Sequence, residues 1–132
     1  MAGLFAKIAS GEIPSYKIAE DEYFFAFLDV NPLVKGHTLV IPKKEIDYIF
    51  DLDDPLYANF LLFAKRIAKA IKKTIPCKRI GVAVIGLEVP HAHIHLVPLN
   101  TMDDINFSKA KIKLPEHEFQ EIAREIILNL ED

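Results

Sequence analysis

The sequence is short of several features that define large classes of protein. It has a single cysteine, Cys77, among 132 residues, so no disulfide can form within the chain and a reducing compartment fits best. No apolar run approaches the roughly 20 residues that a membrane-spanning helix requires. The first residues also lack the basic start and the long apolar segment of a secretory signal peptide. We therefore expect a cytoplasmic protein with no membrane partner.

The sequence also lacks an excess of positive charge. The chain has 16 lysines and arginines against 19 aspartates and glutamates, and its formal net charge is −3. This balance gives no electrostatic reason to expect a nucleic-acid partner. The basic residues that cluster between Lys65 and Lys73 are therefore interpreted as the solvated face of a helix rather than as a nucleic-acid patch.

The apolar pattern predicts one α+β domain over residues 1–132. Five short segments rich in β-branched and aromatic residues are predicted as strands: residues 15–19, 23–28, 37–42, 79–85 and 90–98. Two segments with apolar residues three and four apart are predicted as the main helices, residues 51–75 and 115–130, after a short helix over residues 3–10. Residues 100–114 have no clear period. We expect a five-stranded antiparallel sheet with the two main helices against one face.

Three of the five histidines lie at every second position of one segment. Alternate side chains of a strand share a face, so His91, His93 and His95 are predicted to project together. The opposite, core-facing side would be filled by Ala92, Ile94 and Leu96. Histidine is seldom the default polar residue on a strand, so this ridge of imidazoles indicates a function.

Two kinds of chemistry fit such a ridge. Side chains two apart on a strand are separated by about 6.6 Å, whereas zinc–nitrogen bonds measure about 2.0–2.1 Å. A metal would therefore use two of the three histidines with a further ligand such as His37 or Glu88. The alternative is nucleophilic catalysis at phosphorus, in which one neutral imidazole attacks and its neighbours stabilise the phosphoryl oxygens. The residue types favour phosphoryl chemistry and leave the metal site open.

Two motifs carry a family resemblance. The first is His91-Ala92-His93-Ile94-His95-Leu96-Val97, which matches the His-φ-His-φ-His-φ-φ signature of the histidine triad (HIT) family, where φ is hydrophobic. The second runs from residue 26 to 32 and from 36 to 44, and it resembles the upstream signature of the same family. The opening segment, residues 5–14, also fits. The resemblance covers residues 3–99 with gaps and points to the nucleotide-binding hydrolases and transferases of the family.

The resemblance implies a HIT-like fold and a homodimer in which two five-stranded sheets join edge to edge. It implies a nucleotidyl hydrolase or transferase that acts on a nucleoside phosphoramidate, a dinucleotide or a related phosphate ester. The expected substrate is a purine nucleotide or nucleoside phosphate, and the reaction would pass through a nucleotidyl-histidine intermediate. We expect no cofactor and no metal.

The resemblance also assigns roles to the histidines. His93, the middle member, is the expected nucleophile. His91 would orient it, partly through its backbone carbonyl, while His95 would contact the phosphate. His37, from the neighbouring strand, would complete the hydrogen-bonded cluster.

The nucleotide itself would be held by residues from the first half of the chain. Asp29 resembles the acid that binds the ribose hydroxyls, since a carboxylate accepts from two donors. The base pocket would be lined by Phe5, Ile8, Phe27 and Val30. An ordinary hydrophobic core is an equally good interpretation of those four residues. Glu88 is counted with the nucleotide-binding residues because it lies next to the triad.

The chain also departs from the family pattern. Many members have a longer loop before the triad that ends in Gly-Gln and helps to hold the phosphate, whereas Leu87 occupies the glutamine position here. Glu88 would repel a phosphate if it pointed inward. A catalytically weak nucleotide-binding or interaction module is therefore the alternative function, ahead of a histidine-ligated metalloprotein. Gly3 and Ala6 occupy the positions of a Cys-x-x-Cys zinc motif found in some relatives, so we predict no structural zinc.

Overall fold

A computed structural model describes residues 2–131 of the chain. The five strands are β1 (Lys17–Glu20), β2 (Phe24–Leu28), β3 (Thr38–Pro42), β4 (Arg79–Ala83) and β5 (Ile94–Leu99). The helices are α1 (Leu4–Ser10), α2 (Asp54–Thr74) and α3 (Glu116–Leu128), with short 3₁₀ turns at Ile49–Asp51 and Met102–Ile105. The strands form one antiparallel sheet in the order β1-β2-β3-β5-β4. The prediction of an α+β fold with a five-stranded antiparallel sheet is confirmed.

The first three strands form a meander because their turns are locally determined. Between β1 and β2, the Asp21 carboxylate accepts the backbone N–H groups of Tyr23 and Phe24 at 2.9 and 2.8 Å. Between β2 and β3, Gly36 has a φ of 92°, a conformation that side chains with a Cβ rarely adopt. A Cβ at Gly36 would also lie 2.8 Å from Cγ1 of Ile75, just after α2. This turn brings His37 to the start of β3.

The two main helices cover one face of the sheet. Asp53 caps α2 by accepting the Leu56 N–H at 2.9 Å, and Pro55 fits the first turn. Helices α2 and α3 bury their apolar faces against alternate residues of the strands. The resulting core includes Phe24, Val40, Ile94, Leu96, Phe60, Ile67, Ile71, Phe119 and Ile126. This arrangement confirms the prediction that both main helices pack against the same face.

A smaller hydrophobic cluster lies on the opposite face. Helix α1 ends at Gly11, whose φ of 87° lets its N–H bond the Ile8 carbonyl at 3.1 Å. The cluster combines α1 with the outer side of β2 and β3 and contains Phe5, Ile8, Phe25, Phe27, Leu39 and Ile41. Because α1 has only 7 residues, it covers part of this face and leaves the rest open for a cavity.

The prediction that one strand carries all three triad histidines is wrong in its starting point. Strand β5 begins at Ile94, so only His95 is in it, and pairing with β3 starts at the Val40–Ile94 pair. The backbone just before Ile94 is hydrogen-bonded to the loop after β3 instead, since the Ala92 N–H donates to the Ile46 carbonyl at 2.7 Å. The alternation of side chains nevertheless persists, because Ala92 is buried in the core below α2 and α3.

The remaining differences concern the ends of elements. Strand β4 stops at Ala83 rather than Ile85, and α3 runs from Glu116 to Leu128. Residues 100–114, which show no period, contain one 3₁₀ turn and otherwise irregular backbone. Within residues 2–131, no helix combines the length and the apolar character needed to cross a membrane.

Candidate active site

The face that carries α1 contains a cavity of about 510 Å³ between the helix, the triad and the turn after β2. It brings together all the predicted site residues except His91: Phe5, Ile8, Phe27, Asp29, Val30, His37, Glu88, His93 and His95. These residues come from widely separated parts of the sequence. The cavity is large enough for a small organic ligand.

His37 and His95 share a hydrogen bond that fixes the tautomers of both rings. His37 Nδ1 accepts the backbone N–H of Leu33 at 3.0 Å, so the proton of the neutral His37 ring is on Nε2. His37 Nε2 then donates to His95 Nδ1 at 3.0 Å. The proton of the neutral His95 ring is consequently on Nε2, where it is available to a ligand in the cavity.

His93 is oriented by the main chain. Its Nδ1 lies 2.7 Å from the backbone carbonyl of His91, and a carbonyl only accepts, so Nδ1 carries the proton. The other ring nitrogen of His93, Nε2, therefore keeps an unshared electron pair. The His91 ring is fixed in turn by donation from its Nε2 to the Pro42 carbonyl at 2.8 Å. His91 Nδ1 is buried without a hydrogen-bond partner.

Burial keeps the cavity histidines neutral. The exposed fractions of His37, His93 and His95 are 1, 7 and 9%. Loss of solvation lowers the pKa of His37 to about 3, with further contributions from His95 and Lys111. Loss of solvation, followed by the nearby His93, lowers the pKa of His95 to about 4. The pKa of His93 is also lowered, chiefly by burial, although its bond to the His91 carbonyl opposes the shift.

Asp29 lies at the end of β2, beside the histidine pair. Its Oδ1 accepts the Asn31 N–H at 2.9 Å, while Oδ2 is 3.7 Å from His37 Nε2. Burial raises the pKa of the Asp29 carboxyl, and the Asn31 bond and the charge of Lys111 act in the opposite direction. Oδ2 is not engaged in the turn and remains available to donors in the cavity.

The apolar wall of the cavity belongs to the smaller hydrophobic cluster. Phe5, Ile8 and Phe27 are buried and line the cavity, so they serve as core and as pocket wall together. The ring of Phe5 meets the His93 ring edge to face at 5.0 Å between centroids. Val30 differs from the other three, since 56% of it is exposed at the rim.

The segment before the triad also lines the cavity. Leu87 is 88% exposed, and its apolar side chain offers no hydrogen bond to a phosphate. Glu88 is exposed, lines the cavity and exerts a small upward influence on the pKa of His93. This segment therefore supplies one negative charge and no cation.

Two of the cavity residues that the sequence analysis did not select lie in the irregular segment after β5. Phe107 and Lys111 both line the cavity. The Phe107 ring packs edge to face on His95 at 4.8 Å and on His37 at 6.3 Å. A stretch of about 15 residues without regular structure is uncommon inside a small domain and is often functional, and that signal could have directed attention to residues 100–114.

The metal alternative can be tested against the same hydrogen bonds. Asp29, His37 and His95 offer ligand atoms that all lie within 4.8 Å of one another. His37 would have to bind an ion through Nε2, and that nitrogen carries the proton as long as Nδ1 accepts from Leu33. Binding would therefore require either moving the ring proton to Nδ1, which breaks the buried hydrogen bond from Leu33, or removing that proton to form an imidazolate. The site as built suits a hydrogen-bond acceptor better than a metal ion.

Comparison with known proteins identifies the family. The sequence profile of the HIT domain matches residues 10–102. The chain belongs to the HIT family. The relatives of known sequence include an uncharacterized HIT-like protein of Borreliella burgdorferi, which is 36% identical over 135 residues and covers 96% of this chain and 97% of its own length.

Two further similarities are with a relative of named activity and with a solved structure. An adenosine 5′-monophosphoramidase of Saccharomyces cerevisiae is 40% identical over 98 residues, covering 74% of this chain and 62% of the yeast protein. Among solved structures, a HIT-like protein involved in cell-cycle regulation from Bartonella henselae, crystallised with an unknown ligand, superimposes with a TM-score of 0.83. It is 32% identical and covers 97% of this chain and 96% of its own. The resemblance expected from the sequence motifs is thus confirmed.

Proposed function

We propose that this HIT-family protein is a nucleotidyl hydrolase or transferase of the phosphoramidase type, with His93 as the nucleophile. The observation that supports it most is the hydrogen bond from His93 Nδ1 to the His91 carbonyl, which leaves Nε2 unprotonated. The name of the yeast relative, an adenosine 5′-monophosphoramidase, supports the substrate class. A nucleoside phosphoramidate with a purine base is the proposed substrate.

In the first step, His93 Nε2 attacks the phosphorus atom of the bound substrate. A P–Nε2 bond forms and the P–N bond to the leaving amine breaks, while the amine takes a proton from solvent. The lowered pKa of His93 keeps the ring neutral and nucleophilic at pH 7 without a separate strong base. His91 acts as a positioning residue, because its carbonyl holds the His93 ring and its own ring is fixed to β3.

The negative charge on the phosphoryl oxygens is met by a donor already in place. His95 Nε2–H faces the cavity because His37 occupies Nδ1. A preorganised donor of this kind stabilises the transition state with little rearrangement. In the second step, water attacks phosphorus, the P–Nε2 bond breaks, and the nucleoside monophosphate is released.

Asp29 and the apolar wall would hold the nucleoside. The free Oδ2 of Asp29 suits the hydroxyl donors of a ribose, and its placement beside His37 puts the sugar next to the phosphate. The buried rings of Phe5 and Phe27 offer an apolar surface to a base. In this proposal the base lies against the apolar wall, and the ribose and phosphate lie against the polar residues of the cavity.

The proposal is tested by incubating the protein with adenosine phosphoramidate and measuring intact mass together with release of AMP. We expect a transient adenylyl adduct and catalytic production of AMP. The His93→Ala variant should show neither, because it lacks the attacking nitrogen. Absence of both adduct and AMP with the wild-type protein, over several nucleoside phosphoramidates and dinucleotides, would refute the enzymatic proposal.

A nucleotide-binding module with weak catalysis is the second candidate, and the exposed Leu87 favours it. The segment before the triad gives the phosphate no hydrogen bond from that side chain. AMP binding without turnover would support this alternative. Metal analysis of protein purified without added metal tests the third, since a stoichiometric ion would contradict the tautomers assigned to His37 and His95.

We also propose that the protein is a homodimer joined through β4. This strand is at the end of the sheet order, so its outer edge pairs with no other strand of residues 2–131. Val82, Val84 and Ile85, on and just after β4, are 62, 40 and 47% exposed. An unpaired edge with apolar side chains is a surface that proteins commonly cover. Light scattering at micromolar concentration should give twice the mass of the 15.0 kDa chain, and a monomer would contradict this proposal.

A further inference from the structure

The irregular segment after β5 is held against the cavity at defined points. Phe107 packs on the rings of His95 and His37. The Ile112 N–H donates to the Pro32 carbonyl at 2.9 Å, which ties the segment to the turn that follows Asp29. Lys111 lies between these two anchors and lines the cavity. Its backbone position is therefore set by the fold.

The ammonium group of Lys111 forms no ion pair with a carboxylate of residues 2–131. Its Nζ donates to the backbone carbonyls of Phe107 at 2.9 Å and of Lys109 at 3.4 Å. In the described part of the chain, the ion pairs do not include Lys111, whereas the neighbouring Lys109 lies 3.9 Å from Asp103. Hydrogen bonds to neutral carbonyls hold the ammonium group in place without cancelling its positive charge.

The cavity needs such a charge if its ligand is an anion. Among the described residues that line it, the only acidic side chains are Asp29 and Glu88, and the only lysine or arginine is Lys111. The buried histidines are neutral, so they provide hydrogen bonds and no net positive charge. Two carboxylates would repel a phosphate unless a cation offset them.

Lys111 also belongs to the segment that packs on His95, the proposed phosphate donor. Its Nζ bonds the carbonyl of Phe107, whose ring packs on His95, and its charge lowers the pKa of Asp29, His37 and His95. Leu87, before the triad, has no group that could replace this charge. The segment that packs on His95 therefore supplies the cavity with one cation, and the described residues Gly86, Leu87 and Glu88 supply none.

We propose that Lys111 is the residue that makes the site specific for an anionic phosphoryl group, by pairing with its non-bridging oxygens beside His95. This inference rests on the proposed nucleotide site and adds a residue from outside the motifs. It predicts that the protein distinguishes nucleoside phosphates from uncharged nucleosides mainly through this side chain. The preferred substrates would be those that keep a negative charge on the phosphorus that His93 attacks.

The test compares the binding of AMP and of adenosine by calorimetry for the wild-type protein, Lys111→Gln and Lys113→Gln. Lys113 is exposed on the same segment and does not line the cavity, so its variant makes the same charge change away from the site. We expect Lys111→Gln to weaken AMP binding by about tenfold, the effect of one charge-assisted hydrogen bond, with adenosine binding unchanged. Lys113→Gln should bind both ligands like the wild-type protein.

Two further measurements separate a charge effect from a change of shape. Lys111→Arg should restore most of the AMP affinity, and added salt should weaken AMP binding less in Lys111→Gln than in the wild-type protein. With a phosphoramidate substrate, Lys111→Gln should raise KM. Equal losses for AMP and adenosine, equal behaviour of the two glutamine variants, or no AMP binding by the wild-type protein would overturn the proposal. Absence of turnover with normal AMP binding would refute only the enzymatic function.

Discussion

The two faces of the sheet are formed by the same strands but differ in what they bury. The face below α2 and α3 is a closed apolar core in which residues such as Phe60 and Ile94 are fully buried. The face below α1 buries four imidazoles, His37, His91, His93 and His95, and leaves a cavity beside them. Burying polar rings costs free energy unless each finds a partner. The first face contributes most of the apolar burial, and the second combines a smaller apolar cluster with buried imidazoles that border an open cavity.

Neighbouring residues show how sharply this division is made. His93 and Ile94 are adjacent in sequence and project to opposite faces. One lines the cavity, and the other contacts the helices. Because they share a backbone environment, substitutions at these two positions compare the faces more directly than any more distant pair.

The largest expected effect is the loss of activity on replacing His93. We expect His93→Ala to lower kcat with a nucleoside phosphoramidate by roughly 10⁴-fold or more, as removal of a covalent nucleophile does elsewhere. Its free energy of unfolding should change little. The His93 ring borders the cavity, and only one of its two nitrogens is hydrogen-bonded. Steady-state kinetics and urea unfolding measure the two quantities. Substantial residual turnover would assign the attack to another group.

The converse substitution is Ile94→Ala. Ile94 is 0% exposed in the larger core, so the substitution should lower the free energy of unfolding by about 2–5 kcal/mol. The folded fraction should keep a kcat within a few-fold of the wild-type value, since the side chain faces away from the cavity. Denaturant unfolding and kinetics on the folded protein test this. A loss of kcat comparable with that of His93→Ala would show that the two faces are not independent.

A smaller and continuous effect is expected from pH. His37 and His95 have folded-state pKa values of about 3 and about 4, below the ordinary value of 6.5 that applies when the chain is unfolded. The unfolded chain therefore binds more protons, and stability is lost as the pH falls below 6.5 towards those lower values. The loss should approach about 1.4 kcal/mol per pH unit for each histidine.

Urea unfolding between pH 6.5 and 5 isolates this effect from most carboxylates. His37→Asn should reduce the slope of the unfolding free energy against pH by nearly 1.4 kcal/mol per pH unit, which corresponds to one proton. A wild-type stability that is constant over this range would contradict the assignment of neutral, buried rings.

Much of the fold could be predicted from the sequence because its periods are regular. The apolar residues three and four apart predicted a helix over residues 51–75, and α2 begins three residues later than predicted, at Asp54. The alternation of apolar residues predicted both sides of the triad segment. The strand limits were less accurate, because the end of a strand depends on its partner. Ala92 bonds to the loop after β3, and nothing local to residues 90–98 shows that loop's position.

Motifs in the sequence selected most of the predicted residues that line the candidate site, but they did not select its residues outside those motifs. Asp29, His37 and His93 lie within recognisable patterns. Phe107 and Lys111 lie in a segment without a period, and only the packing of that segment on His95 brings them to the cavity. Whether Phe5 and Ile8 belong to core or pocket was likewise undecidable from the sequence, since in the folded chain they belong to both.

The backbone amide of Leu33 has a consequence that reaches well beyond its own position. Its N–H, the His37 ring and the His95 ring form a series of donors that all point the same way, towards the cavity. Aligned hydrogen bonds polarise one another, so the series acts as a dipole with its positive end at His95 Nε2. We therefore expect this dipole to attract an anion without any imidazolium, since both rings are neutral at neutral pH. A proline at position 33 would remove the first donor. The His37 ring could then adopt either tautomer, and the hydrogen bonds would no longer all point towards the cavity.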